Sequence, residues 1–262
     1  MELAGKVAIV TGAGGDGCGR AIARRLAREG MAVALTDIHD SGARETVRLI
    51  ESAGGRCAFH PADVRSDAQV RALIAFAEET FGPLAVMVNN ASATFHPDDL
   101  LSGWDETMAV DFLGAMYGIR AGIEALRRSC GGGAIVNISS ISALWHGRKG
   151  NAKAPAYDAA KAGVLRLTTG LGWLGDKENI RVNCLAPGWI ASAQVRAFWE
   201  PLTPEERQQY GAPARLLDLE QLADAVVRLA TDESLHGRVL VWWSENEPGL
   251  IPWADRGYRE LV

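Results

Sequence analysis

The chain has 262 residues, of which 48% are hydrophobic, and a formal net charge of −5 at pH 7. That length and apolar content suffice for one large core, and the lack of any long basic run argues against a nucleic-acid partner, because phosphate binding needs clustered Lys and Arg. No apolar stretch approaches the roughly 20 residues that cross a bilayer, and the first strand begins almost at once, so no membrane partner and a cytoplasmic location are expected.

The run "KVAIV" predicts a strand, "TGAGGDGCGR" (Thr11 to Arg20) a glycine-rich turn, and "AIARRLAREG" a helix. "MAVALTD" reads as a second strand closing on Asp37, and "ARETVRLIESAGG" as a helix with a glycine stop. The alternation continues through the strand "RCAFHPADV", the helix "DAQVRALIAFAEETFG", the strand "LAVMVNN", a long helix in "WDETMAVDFLGAMYGIRAGIEALRRS" and the strand "GAIVNISS". A helix in "YDAAKAGVLRLTTGLGWLG", a strand in "IRVNCLAP", a helix in "LEQLADAVVRLATD" and a strand in "GRVLVWW" complete it.

Short, continuously apolar strands alternating with helices mean a parallel sheet covered on both faces. The expected fold is therefore α/β: a doubly wound Rossmann-type sheet of about seven parallel strands with helices on both faces, in a single domain over residues 1–262. Two long irregular stretches, about 141–156 and 189–217, follow strands on the ligand-binding edge and are expected to serve the substrate. The tail from about 244 to 262 is rich in aromatics and is expected to dock on its own or a neighbouring subunit. The four cysteines, Cys18, Cys57, Cys130 and Cys184, form no C-x-x-C pair. Free buried thiols are expected, with no metal site and no disulfide framework.

A strand, a glycine-rich turn and a helix make a scaffold for gripping a pyrophosphate. The glycines can be counted two ways: Gly12, Gly14 and Gly17 spell G-x-G-x-x-G, while Gly12, Gly17 and Gly19 spell T-G-x-x-x-G-x-G with one residue too many. About twenty residues on, Asp37 ends the second strand, where a carboxylate can accept from both adenosine ribose hydroxyls and repel a 2′-phosphate. Its neighbours Thr36 and Ile38 supply no compensating Arg, so NAD(H) is favoured; the alternative is that Asp37 only caps the next helix. In "YDAAK", Tyr157 and Lys161 are four apart and share one helix face. An ammonium near a phenol favours phenolate, so the pair could exchange a proton with an alcohol. Ser140, at the end of "GGAIVNISSIS", could hydrogen-bond a substrate oxygen from the same edge.

Taken with "VNNAS" after the fourth strand and "NCLAPG" after the sixth, these motifs make the chain resemble the short-chain dehydrogenase/reductase family over nearly its full length. The resemblance implies a nicotinamide cofactor, hydride exchange between a hydroxyl and a carbonyl, and the T-G-x-x-x-G-x-G count. It assigns Tyr157 as general acid/base, Lys161 to the nicotinamide ribose and to lowering the Tyr157 pKa, and Ser140 to orienting the carbonyl. Cofactor contacts carry over to Gly12, Gly17 and Cys18 in the turn, to Asp37 and Ile38, to Asp63 and Val64 at the adenine, and to Asn90 and Ala91 along the riboses. Pro187, Gly188 and Ile190 would line the nicotinamide, with Ser192 where the family often has a Thr that bonds the carboxamide. Asp63 and Asn90 could instead be ordinary turn residues. One of Gly14, Gly15 and Asp16 is an insertion, and Asp16 would cap the helix start or point toward the adenosine ribose. The family's habit of pairing its long central helices implies a homotetramer.

Three departures stand out. The family's N-N-A-G reads Asn89, Asn90, Ala91, Ser92; its V-N-x-x-G reads "VDFLG", with Asp111 for the Asn; and the gap between Ser140 and Tyr157 is about four residues longer than usual. Asp111 is kept as a fourth catalytic candidate: beside Lys161 it would hold the ammonium charged and partly cancel its pull on Tyr157. The alternative is that it points away and only caps or kinks its helix. Trp145, His146, Trp189, Phe198, Trp199 and Tyr210 in the long loops suit a bulky apolar or ring-containing secondary alcohol or ketone, although several could simply pack the loops together. Arg148, Lys149 and Lys153 leave room for an acidic group on it. A dinucleotide-sensing regulatory protein, or a dehydratase or epimerase on the same scaffold, is the other reading.

Overall fold

The computed structural model describes residues 1–93, 102–129, 131–145, 155–244 and 246–254. Strands β1 (Val7–Thr11), β2 (Ala32–Thr36), β3 (Arg56–Phe59), β4 (Leu84–Asn89), β5 (Gly133–Ile138), β6 (Ile180–Pro187), β7 (Val239–Trp242) and β8 (Gly249–Leu250) form one sheet in the order β3-β2-β1-β4-β5-β6-β7-β8. The first seven run parallel, while β8 pairs antiparallel with β7 through Leu240 opposite Leu250 and Val241 opposite Gly249. The seven parallel strands match the expectation; β8 is an antiparallel addition from the tail, and two residues are too short to carry a hydrophobic period.

Helices α1 (Cys18–Arg28), α2 (Asp40–Ser52) and α3 (Asp67–Phe81) follow the first three strands. The expected long helix after β4 is α4 (Trp104–Thr107), a π-helical stretch Met108–Gly114, and α5 (Ala115–Arg128) run end to end. The stretch read as one helix after β5 divides into α6 (Pro155–Gly170) and α7 (Trp173–Glu178), broken where Gly172 packs against Gly237. Alternate strand residues face opposite ways. Ala8 and Val10 lie in a core with α1, α2 and, after β6, α10 (Leu219–Thr231); Val7 and Ile9 lie in one with α3 and α5.

The stretch 189–217, expected to be irregular, holds two short helices, α8 (Ala193–Trp199) and α9 (Pro204–Tyr210). Their start signals are local. Ser192 accepts from Val195 N–H, and "TPEE" forms a capping box in which Thr203 and Glu206 bond each other's backbone. Strand order reverses between β1 and β4, and the glycine turn opens at that switch point.

Candidate active site

In the turn after β1, Gly12, Gly14 and Gly19 are tightly enclosed and Gly17 has room for a Cβ, so each glycine count has members that the packing requires. Gly12 has φ +66°, and a Cβ there would lie 2.7 Å from Ala91 Cα; a Cβ on Gly19 would overlap the Gly12 carbonyl oxygen. Gly17 is the N-cap of α1 and offers no side-chain cap, leaving the first N–H groups of that helix free for an anion. The one surplus residue falls within Gly14–Asp16. Gly14 turns back onto the end of β2, its N–H donating to Asp37 Oδ2 at 2.7 Å, while Gly15 and Asp16 are exposed. Arg20 clasps the loop from below, giving Nη2–H to the Gly14 carbonyl at 2.8 Å and Nε–H to Thr46 at 2.9 Å. Asp16 does not cap α1, contrary to one expectation.

Asp37 does not cap α2 through its side chain. It also accepts from His39 N–H at 2.9 Å, and each carboxylate oxygen retains further acceptor capacity. It is half-buried, beside an exposed Ile38. Across the switch point, the Asn90 amide donates to the carbonyls of Thr11 and Gly12 at 2.9 and 3.0 Å, and the Thr11 hydroxyl oxygen accepts from Asn90 and Ala91 N–H. The Asn90 side chain is therefore spent on the turn, and its partner Thr11 stands 79 residues away, so no local sequence signal pairs them. The Asp63 carboxylate is bound by Arg65 at 2.6 Å, which lowers its pKa, while Val64 is buried.

On the far side, Ser140 follows β5 and caps the 3₁₀ turn Ile141–Leu144, its oxygen accepting from Ser142 N–H at 3.1 Å. Helix α6 is held to β5 by Ser139, whose hydroxyl donates to the Lys161 carbonyl at 2.9 Å, and by the buried chain Asn89, Asn137, Thr168. This places Tyr157 and Lys161 one turn apart, with Lys161 Nζ 5.4 Å from the Tyr157 ring centroid. Lys161 is buried; its Nζ donates to the Ile138 carbonyl at 3.2 Å and lies 2.9 Å from Asp111 Oδ1. Asp111 thus faces the lysine and does not point away. The π-helical stretch that carries it adds a residue to the turn, a distortion often found at functional sites.

The electrostatics differ from expectation in one respect. Burial pushes the Tyr157 phenol above its usual value; Lys161 pulls it down, Asp111 pushes it up again, and a hydrogen bond from Ser140 pulls it down, with a net rise. Lys161 does lower the phenol, but burial and Asp111 together outweigh it. For Lys161 burial works downward, yet Asp111 and Tyr157 prevail and its pKa is raised. A cavity of about 10 Å³, room for about one water, borders Asp111, Lys161, Ala91 and Val64.

Pro187 ends β6, and Gly188 N–H donates to the Trp242 carbonyl at 2.8 Å. Ile190 bridges to Leu217, and Ser192, although occupied as the cap of α8, still has a hydroxyl proton to donate. Of the aromatic residues, Trp145 stacks on Trp243 at 5.7 Å and Trp189, Phe198 and Tyr210 form a second cluster. Trp145, Phe198 and Tyr210 remain about two-fifths exposed. Trp199 packs under Arg207 and bonds the Pro213 carbonyl, so it belongs to the loop's own packing. His146, Arg148, Lys149, Lys153 and Cys130 lie outside the described residues. Cys18, Cys57 and Cys184 are free thiols, and burial pushes them up to about 11, 12 and 12.

The residues present fit a dinucleotide: a glycine turn in which a Cβ at Gly12, Gly14 or Gly19 would be obstructed, an uncapped helix N-terminus, and a carboxylate at the end of β2. The family model for short chain dehydrogenases matches residues 6–202. The chain is 36% identical over 248 residues to a (3R)-3-hydroxyacyl-CoA dehydrogenase of Mus musculus, covering 89% of this chain and 92% of that protein. It is 37% identical over 244 residues to the cis-4-hydroxycyclohexanecarboxylate dehydrogenase of Sinomonas cyclohexanicum, covering 88% and 91%. The fold also resembles a 7α-hydroxysteroid dehydrogenase solved with NADH and 7-oxoglycochenodeoxycholic acid, with a TM-score of 0.80, 27% identity, and coverage of 93% of this chain and 94% of that one.

Proposed function

The chain belongs to the short-chain dehydrogenase family of oxidoreductases, and from that premise we propose that it exchanges a hydride between NAD(H) and a bulky, ring-containing secondary alcohol or ketone. The observation that carries this reading is the convergence of Ser140, Tyr157 and Lys161 at the carboxyl edge of the sheet, across the switch point from the glycine cradle. When bound, the nicotinamide supplies or accepts the hydride. Gly12, Gly17 and Cys18 would hold the pyrophosphate, Asp37 the adenosine ribose, Asp63 and Val64 the adenine, and the strand ends at Asn90, Ala91, Pro187, Gly188 and Ile190 would flank the rest, with Ser192 donating to the carboxamide.

Ser140 donates to the substrate oxygen and fixes it against Tyr157. Tyr157 takes the hydroxyl proton in oxidation and returns it in reduction. Lys161, held charged by Asp111 and by the Ile138 carbonyl, keeps a positive field beside the phenol oxygen. The aromatic clusters around Trp145, Trp189 and Phe198 support a ring-bearing substrate, as does the cyclohexanol-type relative. The single sheet spanning residues 7–250 supports one domain. A cytoplasmic homotetramer completes the proposal; among the described residues, no helix is long and apolar enough to cross a membrane.

Incubation with NAD⁺ and a panel of cyclic secondary alcohols, following NADH absorbance, tests the reading. Turnover of a ring alcohol well above an acyclic one is expected. Tight NAD binding without turnover of any alcohol would support a regulatory dinucleotide sensor, and loss of water or inversion of a stereocentre without net NADH would support a dehydratase or epimerase.

A further inference from the structure

Two of the departures noted in the sequence meet in space. The Ser92 hydroxyl donates to Asp111 Oδ1 at 2.6 Å, Ala93 N–H donates to Oδ2 at 2.9 Å, and Lys161 Nζ approaches Oδ1 to 2.9 Å. Three donors thus converge on one buried side chain. A carboxylate, acceptor on both oxygens, satisfies all three; an amide would turn an NH₂ toward at least one of them. A glycine at position 92 would supply no side-chain donor. The serine and the aspartate are therefore chemically matched, each making sense of the other.

We propose that Ser92 is a positioning residue that acts on Lys161 through Asp111, so that the three side chains work as one coupled unit. Ser92 and Ala93 clamp the two carboxylate oxygens, which fixes the anion against Nζ and holds Nζ at the Ile138 carbonyl. The Ser92 hydroxyl dipole also offsets part of the Asp111 charge, moderating the field that this carboxylate exerts on Tyr157. The proposal rests on the reading of Tyr157 and Lys161 as the proton-exchanging pair. Among the described residues, the titratable groups coupled to Asp111 are Lys161 and Tyr157 of α6; Cys18 of α1 and Cys184 of β6 interact with Lys161, and both thiols stay neutral at ordinary pH. Beyond Val64, Asp63 and Arg65 pair with each other at the surface, and Arg65 reaches Glu106 of α4 at 3.9 Å.

The test is a double-mutant cycle on the full-length protein with Ser92→Ala, Ser92→Thr, Asp111→Asn and Ser92→Ala/Asp111→Asn, read as pH profiles of alcohol oxidation and as thermal midpoints without substrate or cofactor. Ser92→Ala strengthens the uncompensated carboxylate field, so the rise in kcat/KM moves to higher pH by about 0.3–0.5 unit, a two- to threefold loss of rate below it. Asp111→Asn moves the rise to lower pH, and adding Ser92→Ala to it causes no further shift. Ser92→Thr, which keeps the hydroxyl, restores the parent profile. Ser92→Ala lowers the thermal midpoint of the parent by about 2–4 °C, and by clearly less in the Asp111→Asn background.

An Ser92→Ala profile and midpoint that overlay the parent, or equal losses in both backgrounds, overturn the proposal. If Asp111→Asn does not fold, the comparison of Ser92→Ala with Ser92→Thr decides alone: equal profiles for the two overturn it. Full activity of Tyr157→Phe would overturn the underlying catalytic reading, and that failure is told apart because the thermal cycle needs no turnover.

Discussion

The Gly14 amide donates to Asp37 at 2.7 Å, and a Cβ at Gly14 would lie 2.7 Å from the Asp37 Cγ. The enlarged glycine turn is therefore fastened to the residue expected to choose the cofactor. Asp37 is immobilised by the Gly14 and His39 amides, and Arg20 is engaged by backbone oxygens and so is not free to receive a 2′-phosphate. NAD(H) should bind at least about tenfold tighter than NADP(H), or about 1.4 kcal/mol. Equal affinities by calorimetry would contradict this. Gly14→Ala should weaken NAD(H) binding by displacing the carboxylate.

Tyr157→Phe should abolish turnover while leaving NAD binding largely intact, because it removes the proton carrier and none of the adenosine contacts. Lys161→Ala should damage both, and should also lower the thermal midpoint by leaving Asp111 buried without its cation. More than a few per cent of parental activity in the Phe variant would remove Tyr157 from the mechanism.

The raised phenol of Tyr157 carries a signed consequence for stability. Its folded pKa lies above the ordinary 10.0, so the folded state binds the proton more tightly than the unfolded chain. The resulting stabilisation is complete below about pH 10 and is lost as pH rises through the folded value. In denaturant titrations at about pH 9 and 11, the parent should lose more stability than Tyr157→Phe. Identical losses would mean that the phenol is not held in its protonated form.

The central helices offer partly exposed apolar surface at Phe112, Leu113, Met116 and Tyr117, next to the small residues of α5. A stripe of this kind suits helix pairing across two-fold axes. Light scattering at micromolar concentration should give the mass of a homotetramer, and a monomeric mass would contradict it.

Fold and chemistry were legible in the sequence to different depths. The strands of a parallel sheet are buried on both faces, so each prints a continuous apolar run, and seven of the eight could be read directly. Tyr157 and Lys161 were readable because helical periodicity alone puts residues four apart on one face. The glycine count was ambiguous in the sequence, because which glycine tolerates a side chain depends on what stands opposite: Ala91 for Gly12, Asp37 for Gly14, the Gly12 carbonyl for Gly19. Helices α8 and α9 were missed although Ser192 and "TPEE" announce them, since short amphipathic segments rest on caps more than on period. The contact between Ser92 and Asp111 could not have been read at all. The two residues are 19 apart, on different elements, and their roles arise only when the β4 end and the π-helical turn enclose Lys161. The sequence by itself determined which elements form and which residue types they carry. Only the tertiary structure decided which of those side chains share a buried site, because burial and charge coupling belong to the packed arrangement and not to any local stretch of chain.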